Sequence, residues 1–145
     1  MRREESDPLL PCLQVVLAGE HAALYAYSVI GGRLGPGGST ATRAVAAYDV
    51  HRTRRDRLAR RLHDLGERPV AAEPGYALPL PVQDATSAAA LAQQVEDRCA
   101  VLYASLVATA PASTVERSLG STSLVDAATR GLDWGAPATA FPGVS

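Results

Sequence analysis

The chain has 145 residues, enough for one domain with a single core, and 47% of them are apolar although aromatics make up only 5%. Much of that apolar content is alanine, which suits closely approaching helices rather than strands of β-branched and aromatic residues. With 14 basic and 15 acidic side chains the net charge is −1, which removes any bulk attraction to nucleic acid or anionic lipid. Every basic side chain is arginine, a bias that beside so much Ala and Gly reads as GC-rich coding rather than chemistry.

Cys12 and Cys99 are too few and too far apart for a disulfide framework or a zinc knuckle, and read as core thiols in a reducing compartment. The opening Met1-Arg2-Arg3-Glu4-Glu5 lacks an apolar signal region, and no uninterrupted apolar run approaches the ~18 residues of a membrane helix. The expectation is a cytoplasmic protein with no membrane partner.

After a flexible segment over residues 1–8, Asp7-Pro8 predicts a helix start, with Pro11 able to delay the regular turn, and a first helix over about Leu9 to Leu34. Leu13, Leu17, Glu20, Leu24 and Tyr27 fall on one buried stripe, so a carboxylate stands where an apolar residue is expected. Gly35-Pro36-Gly37-Gly38 breaks the chain, and Ser39 or Thr40 can cap a second helix that ends before Gly66. On it Ala44, Tyr48, His51, Arg55, Leu58, Leu62 and Leu65 alternate steps of four and three, which aims His51 and Arg55 at the core.

From Gly66 to Gln83 the chain carries Pro69, Pro74, Pro79 and Pro81 and cannot be a regular helix. Extended at up to ~3.3 Å per residue it reaches about 55 Å, against about 38 Å for a helix of ~25 residues, so it can run the length of a bundle. Asp84 or Ser87 can cap a third helix to about Thr109, whose stripe is Ala85, Ala89, Ala92, Glu96, Cys99, Tyr103 and Leu106. Pro111 ends it, and Ser113-Thr114-Val115-Glu116 reads as a capping box for a fourth helix to about Leu132. The bundle therefore spans 9–134, and residues 135–145, with Pro137 and Pro142, read as a loosely ordered tail. Two short-looped helical hairpins joined by one long crossover is the ferritin-like arrangement of an all-α four-helix bundle.

Four stretches resemble the ferritin-like "domain of unknown function 4439" family. They are Ala18-Gly19-Glu20-His21-Ala22-Ala23-Leu24-Tyr25-Ala26-Tyr27, His51-Arg52-Thr53-Arg54-Arg55-Asp56, Ala72-Glu73-Pro74-Gly75-Tyr76-Ala77-Leu78-Pro79, and Val95-Glu96-Asp97. Their order and spacing extend the resemblance over roughly residues 10 to 134. It implies a ferritin-like fold and supplies no established activity.

A ferritin-like di-iron centre takes single Glu residues from two helices and a Glu-x-x-His pair from each of the others. Glu20, Glu96 and His51 fit three of those six positions. Tyr48 replaces the Glu paired with His51, and the fourth helix offers only Thr122, Asp126 and Thr129 at comparable depth. Buried carboxylates on a seam require a metal or a cationic partner. Arg55, one turn beyond His51, is such a partner, so the expected centre is a buried network of Glu20, Tyr48, His51, Arg54, Arg55 and Glu96 with no cofactor. The alternative is an oxidoreductase or metal-handling protein with a reduced iron or manganese site at Glu20, His51 and Glu96. A third reading places a small anionic ligand at Arg54 and Arg55.

His21 points about 100° from Glu20 and reads as a boundary residue, and His63 sits where the helix dipole favours a cation. The six arginines between Arg52 and Arg61 spread around the helix, with Asp56 and Asp64 at pairing distance, and read as a solvated face rather than a nucleic-acid strip. Tyr25, Tyr27, Tyr48 and Tyr103 read as core aromatics with satisfied hydroxyls rather than a redox cage. No Ser-His-Asp set or phosphate loop can be assembled. The functional expectation is a non-enzymatic bundle that acts through self-association, as a homodimer, or through a protein partner.

Overall fold

Asp7 opens the first helix by accepting the Leu9 N–H at 3.0 Å, and α1 then runs over Leu9–Leu34 with Pro11 inside its first turn. The computed structural model describes residues 7–144. Three further helices follow: α2 over Ser39–Asp64, α3 over Ala85–Thr109 and α4 over Val115–Asp133, and no strand occurs among the described residues.

The caps differ in part from the sequence reading. At α2 the cap is Gly38, with no side-chain capping hydrogen bond, so neither Ser39 nor Thr40 serves. At α3 Asp84 and Ser87 cap reciprocally. At α4 the cap is Thr114 rather than Ser113, because Glu116 has turned inward to Arg61 and cannot close the expected box. Both α2 and α4 end in Schellman motifs, with Gly66 and Gly135 at positive φ and Glu67 and Ala136 donating back to Leu62 and Gly131 at 2.9 Å.

Side-chain pairs fix the directions. Cys12 lies by Ser105, Glu20 by Tyr103 and Tyr27 by Glu96, so α1 and α3 are antiparallel. The short loops make α1–α2 and α3–α4 antiparallel hairpins, leaving α2 and α3 parallel and joined lengthwise by the connector. Gln14 clamps that connector, donating to the Arg68 carbonyl and accepting the Val70 N–H, each at 2.8 Å. His21 bonds the Val70 carbonyl at 3.0 Å, and Tyr25 meets Tyr76 with ring centroids 5.6 Å apart. Leu78, Leu80 and Val82 then pack on the upper core.

By length and mean hydropathy alone α1 is apolar enough to cross a membrane, although Gln14, Glu20 and His21 interrupt its apolar run as the sequence shows. Its place explains the composition: it packs against α2, α3 and the connector, and is apolar on most sides. Residues 136–144 fold back along α3, where Gly143 seats against the Ala100 carbonyl.

The core has two apolar halves. Leu13, Leu17, Leu58, Leu62, Leu106 and Leu119 belong to one, and Ile30, Ala44, Ala47, Leu91 and Trp134 to the other. Buried ionisable side chains interrupt the apolar faces of α1, α2 and α3 in this region: Glu20 on α1, His51 and Arg54 on α2, and Glu96 on α3. Gly19 and Gly120 allow close approach across α1–α3 and α3–α4, because a Cβ at either would press on Leu102 or Val107. Across the remaining side, by contrast, no Cα of α2 comes within 8 Å of a Cα of α4.

Candidate functional site

Glu20, His51 and Glu96 meet in the polar layer between the two apolar halves, each no more than 1% exposed. His51 Nδ1 lies 2.6 Å from Glu20 Oε2, and its Nε2 lies 3.1 Å from Glu96 Oε1. Tyr27 donates to Glu96 Oε1 at 2.6 Å, and Tyr103 donates to Glu20 Oε1. The result is one hydrogen-bonded chain, Tyr27–Glu96–His51–Glu20–Tyr103, that ties α1, α2 and α3 together. Tyr27 also stacks on the His51 ring, with centroids 5.4 Å apart.

The electrostatics follow from that geometry. Burial works against a charged His51, but the hydrogen bonds and negative charges of Glu20 and Glu96 outweigh it and push the imidazole up to about 9. Burial, reinforced by the neighbouring carboxylates, raises both Tyr27 and Tyr103 far above the ordinary tyrosine range. Cys99 is likewise pushed up by burial and by Glu20 and Glu96, so its sulfur is a thiol.

The structure moves two residues out of the expected network. The buried face of α2 is Ala41, Ala44, Ala47, His51, Arg54, Leu58 and Leu62, a stripe that leans toward α4. Arg55 therefore turns outward and pairs with Asp56 at 2.8 Å, and Tyr48 lies at the edge of the upper apolar half with no bond to the carboxylates. Arg54 is the buried arginine. Its guanidinium lies 5.5 Å from the Tyr103 ring centroid and pairs with Asp126.

The arginine nearest Glu96 is one the sequence reading missed: Arg130 on α4, with Nη1 3.6 Å from Glu96 Oε2 and 2.9 Å from Asp126 Oδ2. Burial disfavours the charged guanidinium, yet Glu96 and Asp126 hold its pKa above the usual value. Asp126 is pulled the other way: partial burial would raise it, and Arg130 and Arg54 bring it below the ordinary carboxylate range. The i, i+4 spacing of Asp126 and Arg130 was the available signal for this pair. Thr122 and Thr129 face solvent, each hydroxyl donating to its own helix at 2.8 Å. On the arginine-rich face Asp56 pairs with Arg55, whereas Arg52 takes Asp49 at 3.2 Å and Arg61 takes Glu116 rather than Asp64.

A di-iron ligand set does not fit this centre, because the α4 positions present a guanidinium where two further ligands are required. Donor atoms of Glu20, His51 and Cys99 do lie within 4.8 Å of one another, close enough for a single cation. A cavity of about 950 Å³ runs along α3 between the connector and the tail and borders Glu96 and Cys99.

The model for a domain of unknown function, number 4439, matches residues 12–145. The crystal structure of a conserved hypothetical protein from Mycobacterium tuberculosis superposes with a TM-score of 0.80 at 31% identity, covering 90% of this chain and 97% of that one. A dodecameric thioferritin, the bacterioferritin-related protein of Bacteroides fragilis, superposes with a TM-score of 0.73 at 19% identity over 88% of this chain and 82% of its own. No curated protein matches.

Proposed function

The chain belongs to the domain of unknown function 4439 family and has the ferritin-like fold, and on that basis we propose that it is a non-enzymatic bundle in which a proton and two arginines do the work of metal ions. The observation that carries this reading is the double engagement of His51. A ring with a carboxylate oxygen at 2.6 Å from one nitrogen and at 3.1 Å from the other holds a proton on both, and has no lone pair for a metal. Charge balance supports it: Glu20, Glu96 and Asp126 are opposed by protonated His51, Arg54 and Arg130. Such a centre fixes helix register, and the protein acts through self-association or a protein partner, in line with the assembly of its dodecameric relative. Nitrogen-15 NMR tests the proposal. Both ring nitrogens of His51 stay protonated at neutral pH and lose a proton only near pH 9.

The second reading is a reduced iron or manganese site at Glu20, His51 and Glu96. It is favoured by the clustering of donors around His51 and by the Glu96 Oε2 atom, which is buried without a hydrogen-bond partner among the described residues. Metal analysis of protein purified without chelator separates the two. Stoichiometric iron or manganese overturns the proton-bridged centre.

A further inference from the structure

The side of the bundle between α2 and α4 is held differently from the others. With no Cα of α2 within 8 Å of α4, the gap is spanned by long side chains: Arg61 to Glu116 at one end, Arg43 to the Asp133 carbonyl at 2.9 Å at the other, and Arg54 to Asp126 between them. At the middle bridge two guanidinium groups converge on one oxygen, since Arg54 Nη2 and Arg130 Nη1 both donate to Asp126 Oδ2. Arg54 is only 7% exposed, and its Nη1 is buried with no partner among the described residues. The two arginines therefore offer more donors than the Asp126 carboxylate uses, and an N–H left unsatisfied in a protein interior is costly. Asp126 itself has a side chain 42% exposed, so it closes the site from the solvent side.

We infer that this seam is a binding site for a small oxyanion, with Arg54 and Arg130 as the donors and the Asp126 carboxylate as its built-in occupant. The ligand class is a phosphate-type or carboxylate group, since paired guanidinium forks match planar or tetrahedral oxygens. Binding swings Asp126 into water and puts the ligand's oxygens on Arg54 and Arg130, including the unused Nη1. For a monoanion the three-against-three charge balance is unchanged, so nothing else in the centre has to titrate. The site differs from the Arg54–Arg55 pair expected from sequence because Arg55 faces outward.

The test compares the wild-type chain with Asp126→Asn, titrated with inorganic phosphate and separately with acetate at constant ionic strength set by chloride. The thermal midpoint and the side-chain Nε resonances of the arginines are followed. Phosphate or acetate is expected to raise the midpoint of Asp126→Asn with half-saturation about tenfold below that of the wild type, corresponding to about 1.4 kcal/mol for the displaced carboxylate. In the wild type the same titration shifts Arg54 and Arg130 resonances while Arg98 stays fixed. A response to only one anion identifies the ligand chemistry. A midpoint that follows ionic strength alone, or a response that persists in Arg54→Gln/Asp126→Asn, overturns the site. The wild-type resonances decide the matter independently should either variant fold poorly. Failure here leaves the His51 titration untouched, and is therefore distinguishable from failure of the proton-bridged centre.

Discussion

The polar centre and the α2–α4 seam are both built from carboxylates and cations, yet they solve opposite problems. In the centre Glu20, His51 and Glu96 are buried, and each carboxylate takes hydrogen bonds from neighbours on other helices. At the seam Asp126 is half-exposed, and arginine stems fill a gap that backbones do not close. The difference shows that charge in a bundle can fix position where water is excluded, and can act as an adjustable strut where it is not.

The sharpest way to break the comparison is His51→Leu. It leaves Glu20 and Glu96 buried without their shared proton, and is expected to cost about 3–5 kcal/mol in denaturant unfolding. A chelator that destabilises the wild-type protein as strongly would move the centre to the metal reading.

Next in size is a pH effect. His51 is raised from 6.5 to about 9 on folding, so its contribution is fully present below pH 6.5 and is lost as pH rises through about 9. That displacement corresponds to about 3 kcal/mol, read from urea unfolding between roughly pH 6 and pH 10. Stability that stays flat across this range would show that His51 is not charged in the fold.

At the seam, Arg61→Gln strands Glu116, which is 3% exposed, and should cost about 1–3 kcal/mol. The smallest effect expected is at Arg55→Ala, within about 0.5 kcal/mol, because its partner Asp56 is an exposed neighbour on the same helix. A large loss at Arg55 would return it to the core.

The three charged positions of the centre were legible in the sequence because each interrupts an apolar stripe of 3–4 spacing, and such a stripe has one direction to face. Choosing among arginines was a finer problem. Arg54 and Arg55 differ by one residue, about 100° around α2, and Tyr48 and Ala47 by the same angle, so a stripe drawn on the wrong side of His51 exchanged both pairs. Arg130 is harder to read because it lies beside the buried face of α4, Leu119, Ser123, Ala127 and Gly131, rather than interrupting it, and its Asp126 partner is one polar residue among several on that helix. The crossover was readable from proline placement. Its fastening was not, since Gln14 and His21 bind main-chain groups that leave no mark in side-chain pattern.

The chain of bonds from Tyr27 to Tyr103 also bears on the order in which the molecule assembles. The α1–α2 hairpin alone would bring His51 to Glu20 but leave Tyr27 without its acceptor, and the α3–α4 hairpin alone would give Glu96 only Arg130 at 3.6 Å. Neither half is electrically complete before the other docks. A nick in the connector would thus yield two fragments that assemble with each other in preference to folding separately, and unfolding of the intact chain should pass through no stable half.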